Sequence, residues 1–229
     1  MQRSRLSDGR VRTLDVEELT RHIALGEGDH LEFKRRVPEA HRIAKEIVAF
    51  ANTNGGRVLL GIDDQGAIAG LKDPDEQIFL LGVAIEAHTD PVVEFTLRRI
   101  AVSRKREVIV VEVSASLRRP HFVVEGDVRT AYLRFGEKSM EASREAVRLM
   151  RRSADAIGSR FEFGDKELKL MRYLDTYGRI SVEQFAKLAD IRSRQASQTL
   201  VVLTRARVLQ FHPSEGGDYF TAAPTKRTG

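Results

Sequence analysis

The chain has 229 residues, 41% hydrophobic and 31% charged, with a formal net charge of +5, which allows one large domain or a medium and a small one around a real core. It contains no cysteine, so disulfides and thiolate metal sites are excluded. No apolar run reaches the roughly 18–20 residues of a membrane span, and the basic start MQRSRLSDGRVRTLD lacks the apolar segment of a secretory signal. A cytoplasmic protein is expected. The charge is uneven: residues 164–229 hold 11 Lys/Arg against 7 Asp/Glu. A small basic module is the footprint of a phosphate-backbone partner, or else a solvated basic surface.

In chain order, residues 1–15 read as a flexible N-terminal tail. Asp15 is placed to cap a helix over 16–25, with Leu19 and Ile23 on its apolar stripe. Residues 30–35 alternate, with Leu31 and Phe33 on one face and His30, Glu32 and Lys34 on the other, as in a half-buried strand. Pro38 opens a helix to about Ala51 with Ile43, Ile47 and Phe50 inward, and Asn54-Gly55-Gly56 ends it. RVLLGI is apolar without alternation, a buried central strand. DDQG is a hairpin turn and AIAGL its returning strand. A helix follows over 74–88, with Ile78, Leu81 and Ile85 inward. VVEFTLRRIAV and EVIVVEVSA are strands joined by the basic turn Ser103–Arg106. TAYLRFGEKS is a further strand ending at Gly136, and a helix over about 141–152 follows Ser139 or Met140. The spacing predicts an α+β domain with a mixed sheet over 16–152, then a linker over 153–163.

Residues 164–223 read as a second, smaller domain, followed by a tail over 224–229. Asp165 is placed to cap a helix with Leu168, Met171 and Leu174 inside, ending at Gly178. Ser181 and Gln184 form a capping box for the next helix, with Phe185 and Leu188 inward. After the turn IRSR, a third helix spans about 194–206, with Ala196, Leu200 and Leu203 inward. VLQFHP and DYFTAA flank Ser214–Gly217 as a hairpin. Three helices and a hairpin in this order match the winged helix-turn-helix.

Glu27, Glu32 and Asp64 are the candidate chemical residues. Asp64 follows a central strand at its carboxyl end, Glu32 lies on the polar face of a strand, and Glu27 precedes it. Converging carboxylates hold Mg²⁺ or Mn²⁺, and such a metal activates water against a phosphodiester. Lys34, two residues from Glu32, would put a cation beside the phosphate. The plainer alternative makes Glu32 and Lys34 a surface ion pair worth at most about 1 kcal/mol, and Asp63 and Asp64 turn residues. The glycines do not make a nucleotide loop: Gly55-Gly56 precedes its strand and no Gly-Lys-Ser/Thr occurs. An ATPase is therefore not expected. The six histidines make no i, i+4 pair and the serines no nucleophile elbow.

Three stretches carry a resemblance: Glu27-Gly28-Asp29-His30-Leu31-Glu32-Phe33-Lys34, Ala49-Phe50-Ala51-Asn52-Thr53-Asn54-Gly55-Gly56, and Leu60-Gly61-Ile62-Asp63-Asp64 with Gly66 and Gly70. Arg119-Pro120-His121 and Tyr132-Leu133-Arg134-Phe135-Gly136 continue it. Over residues 16–152 the chain resembles the Schlafen AlbA-like domain, also labelled divergent AAA-4. The resemblance implies nucleic-acid binding. Some Schlafen members are ribonucleases acting on tRNA and rRNA with a Glu, Glu, Asp site, which falls on Glu27, Glu32 and Asp64 here. The nuclease core of vertebrate members is built from two such lobes, so a composite groove here would require a homodimer. The C-terminal part is similar to the winged helices of bacterial members described as transcriptional regulators.

A winged helix lays its third helix in the major groove. That assigns base contacts to Arg192, Arg194, Gln195, Gln198 and Thr199, since arginine pairs with guanine and glutamine with adenine. Lys34, Arg35 and Arg36 are further candidate nucleic-acid contacts. The readings that stand are a DNA-binding transcriptional regulator, a Mg²⁺- or Mn²⁺-dependent endoribonuclease acting on structured RNA such as tRNA, and a protein-interaction scaffold. Mg²⁺ or Mn²⁺ belongs to the nuclease reading, and no other cofactor is assigned.

Overall fold

The computed structural model of the chain describes residues 13–151 and 164–224. The expected linker over 153–163 lies outside them, as does most of each expected tail. The chain divides into two compact units, the first ending at Glu141 and the second beginning at Ala142.

The first unit runs α1 (Thr13–Leu25), β1 (Leu31–Lys34), α2 (Ala40–Asn52), β2 (Gly56–Leu60), α3 (Pro74–His88), β3 (Thr89–Asp90), β4 (Thr96–Ser103), β5 (Arg106–Val113), β6 (Phe122–Glu125), β7 (Val128–Thr130), β8 (Tyr132–Phe135) and β9 (Lys138–Glu141). Its main sheet has the order β1-β2-β5-β4. β1 and β2 are parallel, while β5 is antiparallel to both β2 and β4. The sheet is mixed and the unit α+β, as the patterning predicts.

The unbroken apolar run of β2 follows from burial on both faces. Val58 and Leu60 pack with Ile109 and Val111 of β5 against Ile43, Ile47 and Phe50 of α2 and Leu81 and Ile85 of α3. Leu59 points the other way, with Val108 and Val110, against Leu19 of α1 and Leu31 and Phe33 of β1. Each fully buried side chain of this kind contributes roughly 1.5–3 kcal/mol. Among the described residues no helix is long and apolar enough to cross a membrane.

Several local expectations are corrected. α1 starts at Thr13, so Asp15 lies inside it rather than at its cap. The stretch after the DDQG turn is not a strand. It makes isolated bridges, Ile62 with Ile68 and Leu71 with Glu107, because Gly61 (φ +104) and Gly70 (φ +64) interrupt an extended path. The hairpin β6–β7, turning at Gly126, went unread because Glu125, Asp127 and Arg129 dilute its alternation. Residues 138–141 are strand β9, and the helix expected there, α4, is shorter at Arg144–Met150.

The second unit contains α4, α5 (Asp165–Tyr177), α6 (Val182–Ala189), α7 (Ser193–Arg205) and the antiparallel hairpin β10 (Leu209–His212) and β11 (Tyr219–Ala222). Leu170, Leu174, Ile180, Phe185, Leu200, Leu203, Leu209 and Phe220 form its core. Ile180 bridges Phe220 through two backbone hydrogen bonds of 2.9 and 2.8 Å, which tie the α5–α6 connection to the hairpin. Gly164, not Asp165, caps α5, and the Glu167 carboxylate accepts from its amide at 3.0 Å. That turns Glu167, Leu170 and Leu174 inward and leaves Leu168 exposed. Ser181 and Gln184 form the expected reciprocal cap on α6.

Candidate nucleic-acid interface and the acidic residues

Glu32 lies on the α2 side of β1, opposite to Leu31 and Phe33 in the pleat. It is 5% exposed, so β1 is covered on both faces rather than half-buried. Arg134 of β8 covers it. The Arg134 guanidinium, fully shielded from solvent, donates to Glu32 Oε2 at 2.6 Å, Glu46 Oε2 at 2.9 Å, the Gly28 carbonyl at 2.9 Å and the Leu31 carbonyl at 3.2 Å. It also lies 5.0 Å from the centre of the Phe50 ring, a cation–π contact. Lys34 Nζ holds the other Glu32 oxygen, and the Ser139 hydroxyl bonds to Glu46. Two carboxylates thus face two cations, the arrangement that makes buried charge tolerable.

The NTNGG turn meets the same cluster from α2. The Asn52 carboxamide donates to the His121 carbonyl at 2.9 Å and the Tyr132 carbonyl at 3.0 Å, and accepts from the His121 amide at 2.8 Å. The Thr53 hydroxyl accepts from the Arg134 amide at 2.9 Å. At Gly55 (φ +76) an added Cβ would stand 2.7 Å from the Val113 carbonyl oxygen, and at Gly56 one would run into the Phe50 ring. The turn is a close backbone crossing, and each of these residue types serves that crossing.

The two remaining acids are placed differently. Glu27 Oε1 accepts from the Phe33 amide at 2.7 Å. Burial, and then the nearby Glu32 carboxylate, pushes the Glu27 carboxyl above its ordinary value, against the pull of the Phe33 amide. Asp63 builds the turn, accepting from the Gln65 and Ala67 amides at 3.1 and 2.8 Å. Asp64 is exposed and makes no hydrogen bond or ion pair with the described residues. Among the described residues no three His, Asp or Glu are grouped so as to hold a metal ion. Both Glu32 oxygens are engaged besides, one by Arg134 and the other by Lys34. As arranged, Glu27, Glu32 and Asp64 do not fit a Mg²⁺ or Mn²⁺ site.

A buried polar group of another kind sits nearby. His121 Nδ1 donates to the Pro91 carbonyl at 2.6 Å, which leaves Nε2 to accept from the Ser116 hydroxyl at 2.6 Å. Burial lowers the pKa of this ring.

In the second unit, α7 turns Ala196, Leu200 and Leu203 inward. Arg192 at its N-cap, Arg194, Gln195 and Gln198 are exposed and have no side-chain partner among the described residues. Thr199 differs from expectation. It is 7% exposed and shares the inward stripe of Ala196 and Leu203, so it cannot reach a ligand on the outer face. Ser197 is buried too, where Arg148 and Glu145 of α4 bond its hydroxyl. On the outward face of the hairpin, Tyr219 stacks on His212 at 4.8 Å, with Arg179 5.6 Å from the Tyr219 ring centre.

Sequence reasoning missed Arg134 and His121 as organising residues. The signal for Arg134 was a lone charge inside the apolar strand Tyr132–Phe135.

Comparison with known proteins gives a family match: the profile described as Schlafen, AlbA_2 matches residues 27–143. No curated protein matches the chain. The DIP2311 protein from Corynebacterium diphtheriae is similar in structure, at 18% identity and a TM-score of 0.38, over 59% of this chain and 33% of that one. The chain thus spans about a third of that protein's length. The N-terminal domain of a protein described as ATP-dependent DNA helicase RecG-related, from Nitrosomonas europaea, is similar at 20% identity and a TM-score of 0.41. That match covers 68% of this chain and 100% of the domain.

Proposed function

The chain belongs to the Schlafen AlbA_2 family, and from that premise we propose that it is a nucleic-acid-binding protein, a DNA-binding transcriptional regulator whose second unit reads duplex DNA as a winged helix-turn-helix. The observation that carries this reading is the outer row of α7. Arg194, Gln195 and Gln198 are exposed on one helix, with Arg192 at its N-cap, while the opposite stripe is buried in the core. A helix of this length is roughly 20 Å long, and the major groove admits it with its N-terminal side chains at the base edges. Arg179, in the α5–α6 connection, and the hairpin rings of Tyr219 and His212 add a cation and two rings to the same unit.

The test is selection of a preferred duplex from a random pool by the wild-type protein, followed by mobility shift with the Arg194→Ala, Gln195→Ala variant. The expected outcome is loss of sequence preference. A variant that selects the same site as wild type would remove α7 from its assigned role. In this reading the working species is a homodimer in the cytoplasm, because a two-fold operator needs two α7 helices. Sedimentation should then give twice the 25.8 kDa chain mass.

A ribonuclease reading remains attached to one feature, the free carboxylate of Asp64 at the carboxyl end of β2. It would have to work without Glu32, which is committed to Arg134 and Lys34.

A further inference from the structure

The strand directions gather cations at one end of the main sheet. β1 and β2 are parallel and β5 runs against β2, so the carboxyl ends of β1 and β2 share an edge with the β4–β5 turn. Arg35 and Arg36 leave β1 there, and Arg104 and Lys105 form the turn. Lys72 follows Leu71, which bridges Glu107 at the start of β5. All five are exposed, and none has a hydrogen-bond or ion-pair partner for its side chain among the described residues.

Elsewhere in the unit arginines are matched: Arg57 with Glu112, Arg98 with Glu18, Arg118 with Glu94 and Arg129 with Asp90. The acids near the basic end are mostly spent. Asp73 caps α3, and Asp75 and Glu107 hold Arg99. Asp63 and Asp64 in the turn and the capping Asp73 are the acids without a cationic partner there, against the five unpaired cations.

We propose that this end of the sheet is a second binding face, separate from α7, for the phosphate backbone of duplex nucleic acid. The proposal rests on the nucleic-acid-binding reading above and adds a surface to it. The β4–β5 turn lies about two and a half strand spacings from β1, roughly 12 Å. That distance suits phosphates on the two strands flanking one groove, since the grooves are roughly 6 and 12 Å wide. The three contributing segments, residues 34–38, 61–72 and 103–106, contain no aromatic residue. Single-strand binders stack bases on exposed rings, and these segments offer none, which favours the backbone of a duplex over unpaired bases.

The experiment measures the affinity of the full chain for a short random-sequence DNA duplex as a function of salt. The comparison is with a variant carrying Arg35→Gln, Arg36→Gln, Lys72→Gln, Arg104→Gln and Lys105→Gln, whose unfolding curve should match wild type. Each lost phosphate contact lowers the slope of log affinity against log salt by about 0.9, so the slope is expected to fall by roughly 2–4. The Arg35→Gln, Arg36→Gln and Arg104→Gln, Lys105→Gln pairs should each account for part of it. An unchanged slope, with binding abolished by Arg194→Ala, Gln195→Ala, overturns this face and leaves the α7 reading intact. A reduced slope in the five-site variant, with selection unaffected by the α7 substitutions, supports this face and removes the α7 reading. A wild type that binds no duplex overturns both.

Discussion

Arg134 Nη2 stands 2.6 Å from Glu32 Oε2, with both side chains closed to solvent, and the pair joins positions 102 residues apart. Breaking such a pair leaves a buried charge without a partner, at a cost of about 3–5 kcal/mol. Arg134→Met is therefore expected to lose that much in urea unfolding, a large share of the roughly 5–15 kcal/mol of a typical domain. Adding Glu32→Gln and Glu46→Gln should return part of it. A single variant as stable as wild type would mean the cluster is solvated.

The glycine crossing predicts a contrast between two alanine substitutions. Gly56→Ala drives a methyl into the Phe50 ring, whereas Gly28→Ala meets nothing within 4 Å. Overpacking costs about 1–3 kcal/mol, so Gly56→Ala should lower Tm clearly and Gly28→Ala barely. Equal Tm values for the two would contradict the close approach.

His121 predicts how stability follows pH. Burial holds its pKa below the ordinary value near 6.5. A lowered histidine contributes stability that is whole above the unfolded pKa and is lost as pH falls below it. His22 has the same sign, from burial and then Arg57. Unfolding free energy should decline between about pH 7.5 and 5.5, and less steeply in His121→Gln. Parallel curves would show that His121 titrates alike in both states.

Gln198 and Thr199 are sequence neighbours on α7, the first exposed and the second buried. Gln198→Ala should weaken a selected duplex by about 1–3 kcal/mol, a well-made base contact, with little change in Tm. Thr199→Ala should lower Tm and leave affinity alone. Reversal of the two results would mean the helix face is misassigned.

For cleavage chemistry, Asp64→Asn is the clean variant, because Asp64 holds nothing else. Glu32→Ala would strip Arg134 of a partner and lose activity by unfolding alone. The regulator reading expects tRNA to stay intact with Mg²⁺ or Mn²⁺ for wild type. Cleavage abolished by Asp64→Asn at unchanged stability would establish the nuclease.

The elements legible in the sequence were those whose pattern reports one environment. Val58, Leu59 and Leu60 of β2 form an apolar run buried on both sides, and α3 begins at the Pro74 that follows its capping Asp73. Glu32 was misread because alternation records which face a residue takes, not what covers that face. Its cover, Arg134, comes from far along the chain. Leu168 was misread because stripes one position apart share Leu174. The acidic motif looked like chemistry because a carboxylate bound to a buried arginine and one bound to a metal are the same letter.

The Arg134–Glu32 link also sets a schedule for the nascent chain. At about 5–20 residues per second, Glu32 leaves the ribosome roughly 5–20 s before Arg134 can reach it. During most of that wait β1 has a carboxylate on the face that must later be sealed, and Asn52 lacks the His121 and Tyr132 carbonyls it will grip. The N-terminal half therefore cannot settle early, and a chain stopped before Tyr132 should remain a substrate for chaperones and proteases.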